Sequence, residues 1–260
     1  MKKIKKITAF LIINGILLIG AAVILQLFTP FGAIHKGASS GTEYYDSVRE
    51  IVVVSGSLPV DLSYTDGDEC EVSWVSELPL IVNCDEQGTL RITQDDSFTL
   101  SLFSLSRSDY RISVKIPRKS YGRVSLSSSG GEIKVTDNIS CEVLEISTKN
   151  GDILALSADE RTRIKSISGN IYLKLSGLKG DMTVNGGEGD VNINVPPELS
   201  FFMEFSTESG SCTTDGFPED IKDRKGDAAL LSGNGGHNLN IRTTSGSLEL
   251  LSDAKRPPAA

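Results

Sequence analysis

The sequence predicts an all-β protein, a β-solenoid-like stack of β-strand repeats of about 20 residues, preceded by one N-terminal transmembrane helix. Three observations predict it. Six glycines recur in matching contexts, apolar columns hold register with them, and a long uncharged apolar run opens the chain. The first two specify small strand units that bury their apolar faces on one another; the third specifies a membrane span.

The apolar run comes first along the chain. Residues 1–6 carry Lys2, Lys3, Lys5 and Lys6 and read as a cytoplasmic basic tail. Residues 7–28, ITAFLIINGILLIGAAVILQLF, hold no charge. About 20 apolar residues in a helix cross the hydrocarbon layer. A removable signal peptide has a shorter apolar stretch, and its cleavage site wants small residues where Phe31-Gly32-Ala33 places a bulky one. The run therefore reads as an uncleaved signal anchor. Lysines precede it and none follows until Lys36, so the positive-inside rule leaves the N-terminus in the cytoplasm. The expected location is the cell membrane, single-pass, with the C-terminal domain extracytoplasmic. Residues 29–43, rich in Gly and Ser, read as a linker, and residues 44–252 as the β-repeat domain.

Setting aside the four N-terminal lysines leaves 22 basic residues against 34 acidic ones. A domain that acidic repels phosphate backbones, which argues against a nucleic-acid partner. Cys70, Cys84, Cys141 and Cys212 form no CxxC pair and have no nearby His, so they do not read as a zinc site. Cys70 and Cys84 flank a hairpin-like stretch, which leaves two readings open, a disulfide or two free thiols.

The repeat is marked by Gly131, Gly151, Gly169, Gly189, Gly210 and Gly246, spaced 20, 18, 20, 21 and 36 residues apart. Five residues before them stand Leu126, Ile146, Ile164, Val184, Phe205 and Ile241. Two residues after them stand Ile133, Ile153, Ile171, Val191, Cys212 and Leu248. Further apolar positions lie two residues beyond each column, which is strand periodicity with one buried face. Each unit thus reads as strand, tight turn, strand, with the glycine supplying a positive φ at the turn. Stacking buries Ile171 against Ile153 and Val191. The residue after each glycine is polar: Glu132, Asp152, Asn170, Asp190, Ser211 and Ser247. That row reads as a solvated ladder along the turns, with weak divalent-cation binding as the sharper alternative.

Upstream, residues 44–120 hold strands of looser spacing, VREIVVVSG, CEVSWV, TLRITQD, TLSLFSL and YRISVKIP, which read as a degenerate form of the same architecture. The long last interval inserts a charged loop and a Gly-rich hairpin before the final repeat. Residues 253–260 read as a disordered tail.

The recurring Ser-Gly-Asp/Glu/Asn-Ile/Val element, the strands ending in proline (VKIP at 114–117, INVP at 193–196) and the closing TTSGSLEL resemble the bacterial putative-adhesin family. That is a domain of unknown function built from β-strand repeats. The resemblance covers roughly residues 44–252 and implies surface attachment; it transfers no catalytic residues.

The chemistry-bearing residues point the same way. The only histidines are His35 and His237, and no GxSxG elbow accompanies them. Ser176-Gly177-Leu178-Lys179 matches SxxK, but Ser176 ends a strand and the KTG companion is missing. Gly186-Gly187-Glu188-Gly189-Asp190 falls one residue short of a calcium nonapeptide and occurs once. Trp74, the single tryptophan, lies in an alternating strand and reads as core packing. The expectation is a non-catalytic, adhesin-like binding or scaffolding module without cofactor. Its partners would be the membrane, through the N-terminal helix, and a cell-wall polymer or another envelope protein. The alternatives are a sensory partner of an envelope-stress system and a glycan-active β-helix enzyme.

Overall fold

The computed structural model describes residues 39–94, 110–157 and 161–253, all strands and connections. The apolar run at 7–28 read as an anchor, the TLSLFSL segment and residues 254–260 lie outside the described residues. No helix among the described residues is long and apolar enough to cross a membrane.

Alternation of apolar and polar residues builds two large sheets, whose facing apolar sides form one core. Four central coils each place one strand in either sheet: β8 (Tyr121–Ser128) with β9 (Ile133–Val135), β10 (Cys141–Thr148) with β11 (Ile153–Ser157), β12 (Thr162–Ser166) with β13 (Ile171–Leu175), and β14 (Met182–Gly186) with β15 (Val191–Val195). Neighbouring coils pair in parallel and in register. Ile146 lies beside Leu126 and Ile164, and Ile171 beside Ile153 and Val191. Both apolar columns are buried throughout, from Leu126 and Ile133 to Ile241 and Leu248.

At both ends the spatial order departs from the chain order. The last strands, β20 (His237–Thr243) and β21 (Leu248–Ser252), do not close the stack. They lie between the β14/β15 coil and the coil of β16 (Phe201–Thr207) and β17 (Ser211–Asp215). Val184 therefore pairs with Ile241, and Cys212 pairs with Leu248 rather than with Val191. Stacking in chain order, implied by the glycine spacing, is corrected here. The inserted segment 216–236 supplies β18 (Arg224–Lys225) and β19 (Ala228–Ser232), which run antiparallel along β17 and β16. Antiparallel addition extends each sheet by a short strand beyond the outermost coil, one way to end a stack that would otherwise expose two long edges.

The N-terminal end uses the same device with the chain running the other way. β2 (Glu50–Ser55) and β3 (Val60–Thr65) insert between the β8/β9 coil and the coil of β6 (Thr89–Gln94) and β7 (Arg111–Pro117). The chain between them supplies β4 (Cys70–Ser76) and β5 (Leu80–Cys84), antiparallel to β7 and β6. CEVSWV is thus a closing strand and not a degenerate coil. A further strand, β1 (Ser39–Tyr45), pairs antiparallel with β4, so the stretch read as a linker contains part of a paired strand.

Where the chain leaves a coil and must pass over the inserted one, proline ends the strand: Pro117 is the last residue of β7, and Pro196 and Pro197 follow β15. Proline has no N–H to give to a ladder, so a strand stops there. The exits are tied down locally. The Tyr121 hydroxyl donates to the Pro117 carbonyl at 3.0 Å, and Ser232 Oγ donates to the Leu199 carbonyl at 2.8 Å.

Candidate functional site

The six glycines line one edge of the stack, and their role differs from the expected one. None of them has a positive φ among the described residues; those glycines are Gly88, Gly216, Gly226, Gly233, Gly235 and Gly236. What requires glycine is close approach between coils. A Cβ at Gly151 would lie 2.1 Å from the Gly131 carbonyl oxygen, one at Gly169 2.0 Å from that of Gly151, and one at Gly246 1.9 Å from that of Gly189. Each coil rests its turn on the backbone of the coil beneath, at a distance no side chain tolerates. A Cβ at Gly210 meets the Gly246 carbonyl oxygen at 2.1 Å, so this row repeats the spatial order of the sheets.

Three residues before the glycine stands a hydroxyl column that the apolar reading passed over: Ser128, Thr148, Ser166, Thr207 and Thr243, all but Thr207 buried. The Gly131 and Gly151 N–H groups donate to Ser128 Oγ and Thr148 Oγ1 at 2.8 and 2.9 Å, and Thr243 Oγ1 donates to the Gly246 carbonyl at 2.6 Å. Ser166 Oγ is buried without a partner. At Ser128, Thr148 and Thr243 the short hydroxyl side chain closes the turn on itself, satisfying a backbone group that the ladder leaves free. Ser55 does the same to the Leu58 carbonyl at 2.8 Å, which identifies Leu58 as the residue standing where the glycine stands elsewhere. Gly131 packs on that carbonyl, with a hypothetical Cβ 2.1 Å from it.

The polar row after the glycines does more than face solvent. Asp152 Oδ1 accepts the Asn170 N–H at 2.7 Å, Asn170 Oδ1 accepts the Asp190 N–H at 2.9 Å, and Asp190 Oδ1 accepts the Ser247 N–H at 2.8 Å. Ser247 Oγ then accepts the Ser211 N–H at 3.2 Å. From Asp152 to Ser211 the row holds coil to coil in the spatial order of the stack, one oxygen each of Asp152, Asn170, Asp190 and Ser247 accepting a backbone N–H of the next coil. Among the described residues no cluster of three or more His, Cys, Asp or Glu side chains could hold a metal ion.

The shifted titrations lie near the two ends of the stack. Burial pushes the Cys70 thiol up to about 12, with the Lys119 ammonium opposing it, and raises the Cys84 thiol. The Tyr45 phenol is raised by burial and by its bond to the Glu43 carboxylate, and the Tyr121 phenol by burial. Burial also takes Cys212 to about 11, so its thiol stays protonated at neutral pH. All four cysteines are free thiols. Trp74 is partly buried on β4 against the core and over Gly41; its indole Nε1 is buried without a partner. His237 opens β20, away from any serine elbow, while Asp181 beside it accepts the Asn238 N–H at 2.8 Å.

The open surfaces are the outer faces of the two sheets. On one, a groove of about 620 Å³ of mixed lining lies across β14, β20 and β16, with Asn185, Glu204, Asp227 and Arg242 among its residues. On the other, a cleft of about 350 Å³ is lined by side chains three and five residues after the turn glycines, including Leu154, Tyr172 and Lys174. Sequence reasoning missed these residues because it followed the columns that face inward. Aligning the outward columns on the same glycines would have found them.

The Toastrack DUF4097 family profile matches residues 48–160 and again 137–251. No curated protein matches the chain. Among solved structures, a "putative cell adhesion protein" from Clostridium sporogenes is 14% identical, covering 83% of this chain and 100% of its own, with a TM-score of 0.49. A "putative adhesin" from Bacteroides fragilis is 11% identical over 82% and 97% of the two chains, with a TM-score of 0.37. A "putative lipid binding protein" from Parabacteroides distasonis is 15% identical over 83% and 97%, also with a TM-score of 0.37.

Proposed function

Because this chain belongs to the Toastrack DUF4097 family, we propose that it is a non-catalytic, adhesin-like binding or scaffolding module of the cell envelope, held at the membrane by residues 7–28. The observation that carries this reading is the commitment of the molecule's reactive side chains to structure. Asp152 and Asp190 of the turn row hold the backbone of the next coil, and Cys70, Cys212 and Tyr121 are buried in the core. What faces solvent is two broad sheet surfaces whose side chains repeat at the strand spacing of about 4.8 Å. A rigid, regularly spaced surface suits contact with an extended partner, because many weak contacts form at little conformational cost. The uncharged run at 7–28 and the lysines before it support an anchor with the β-domain outside.

Two measurements test this. Protease added to intact cells should degrade the β-domain while cytoplasmic proteins survive; full protection contradicts the outward placement. The full-length protein, purified in detergent, should be retained by isolated cell-envelope material and released by excess soluble envelope polymer. Absence of retention contradicts the binding role.

A further inference from the structure

We propose that the cleft on the outer face of the β9–β15 sheet binds an anionic saccharide chain lying along the stack, a proposal that deepens the envelope-binding reading and rests on it. The cleft is built from two rows that the register aligns. Lys134, Leu154, Tyr172 and Asn192 stand side by side on β9, β11, β13 and β15, and Leu156, Lys174 and Asn194 form the second row two residues along. A cation, an aliphatic side chain, an aromatic ring and an amide therefore follow one another at about 4.8 Å intervals.

Each group has a chemistry that a charged sugar chain uses. The Tyr172 side chain is 42% exposed on a sheet face and offers a flat apolar surface to the C–H side of a sugar ring. The Asn192 and Asn194 amides each present an acceptor and two donors to hydroxyl pairs. Lys134 and Lys174 are exposed, and neither forms an ion pair among the described residues. Among the described residues no acid lines the cleft. The nearest register neighbours that are acidic are Asp61, beside Lys134, and Glu249, beside Asn192. Asp61 is engaged by Arg111 at 3.3 Å. Lys134 and Lys174, beside a cleft whose described lining holds no acid, give this face a local positive character that complements an anionic ligand against the net negative charge of the chain. The aliphatic part is two half-buried leucines in a concave face, too little protruding apolar surface to insert into lipid. A sugar chain bearing carboxylates fits both the amides and the cations.

The test uses the full-length protein in detergent, with immobilised polygalacturonate as the anionic probe and dextran as the uncharged control. Retention on polygalacturonate and none on dextran is expected. Retention should fall at least tenfold in Lys134→Gln/Lys174→Gln and in Tyr172→Ala, and Tyr172→Phe should restore it, with thermal midpoints matching the wild type. Unchanged retention in the lysine double variant, no retention of the wild type, or binding to phosphatidylglycerol mixed micelles in place of polygalacturonate overturns the proposal. Isolated envelope material separates this proposal from the broader reading. If wild type and double variant bind it equally, the cleft assignment falls and envelope binding stands. If neither binds it, the broader reading falls, and the polygalacturonate comparison still decides the cleft.

Discussion

The central coils and the two ends solve the same packing problem in different ways. From β8 to β15 the chain stacks each coil on the one before, and Gly151, Gly169 and Gly189 each rest on the preceding glycine's carbonyl. At either end the chain skips one coil position, builds the outermost coil, adds short antiparallel strands, and fills the gap with its terminal coil. The N-terminal and C-terminal ends do this in opposite chain directions, and the two overlapping family matches divide the molecule into those halves. The difference teaches why a short repeat can be left so regular. Central coils need only match their neighbours, whereas a stack grown in chain order would finish on two open edges. Placing the terminal coil inside ties the end of the chain between two neighbours.

The largest expected effect tests whether the inserted coil shares the central core. Ile171→Asp in a central coil and Ile241→Asp in the inserted one each bury an unpaired charge among fully packed side chains. Both should cost about 3–5 kcal/mol, read from chemical denaturation. A cost confined to Ile171 would show that the inserted coil is peripheral and break the comparison.

A smaller effect separates close approach from turn conformation. Gly151→Ala should cost about 1–3 kcal/mol, because its Cβ overlaps the Gly131 carbonyl although φ is permissive. Gly177→Ala, with nothing within 4 Å, should stay within about 0.5 kcal/mol of wild type. Equal costs for the two would refute the stacking role of the glycine row.

The smallest effect is a pH dependence at the ends. The Asp85 carboxyl is held below its ordinary value chiefly by the Thr89 N–H, and that of Asp181 by the Asn238 N–H. A carboxyl whose folded pKa is depressed stabilises the fold above its unfolded pKa of about 3.9 and loses that contribution as pH falls through the folded value. Asp181→Ala should therefore melt below wild type at pH 7, and the gap should close on acidification below pH ~4. A gap that persists in acid would assign Asp181 a packing role instead.

The central coils were legible because glycine, an apolar residue five before it and another two after it repeat in a fixed frame. The ends were not, for reasons visible in particular residues. In the inserted N-terminal coil Leu58 stands in the glycine's place, and in the coil beyond it residues 95–109 separate Gln94 from Tyr110, so the frame is lost. In the C-terminal half the frame survives in Gly210 and Gly246, but spacing along a chain carries no information about which coil lies between which. The prolines at 117 and 196 were visible as strand endings, while their place at the two crossovers needs the pairing to be seen. The turn row was legible as polar. Asp152, Asn170, Asp190 and Ser247 each use an oxygen to accept the next coil's N–H, a use that residue type alone does not reveal.

The interleaved order is tested most directly by cysteine cross-linking on the outer sheet face. Asn192 lies beside Glu249, which lies beside Thr213, so Asn192 and Thr213 are two strands apart, about 9.6 Å. Asn192→Cys/Glu249→Cys should form a disulfide under mild oxidation, located by mass spectrometry of the linked peptides. Asn192→Cys/Thr213→Cys should not, since bridged Cα atoms lie within about 7 Å. The reverse result, a link from 192 to 213 and none from 192 to 249, would restore stacking in chain order and contradict the account.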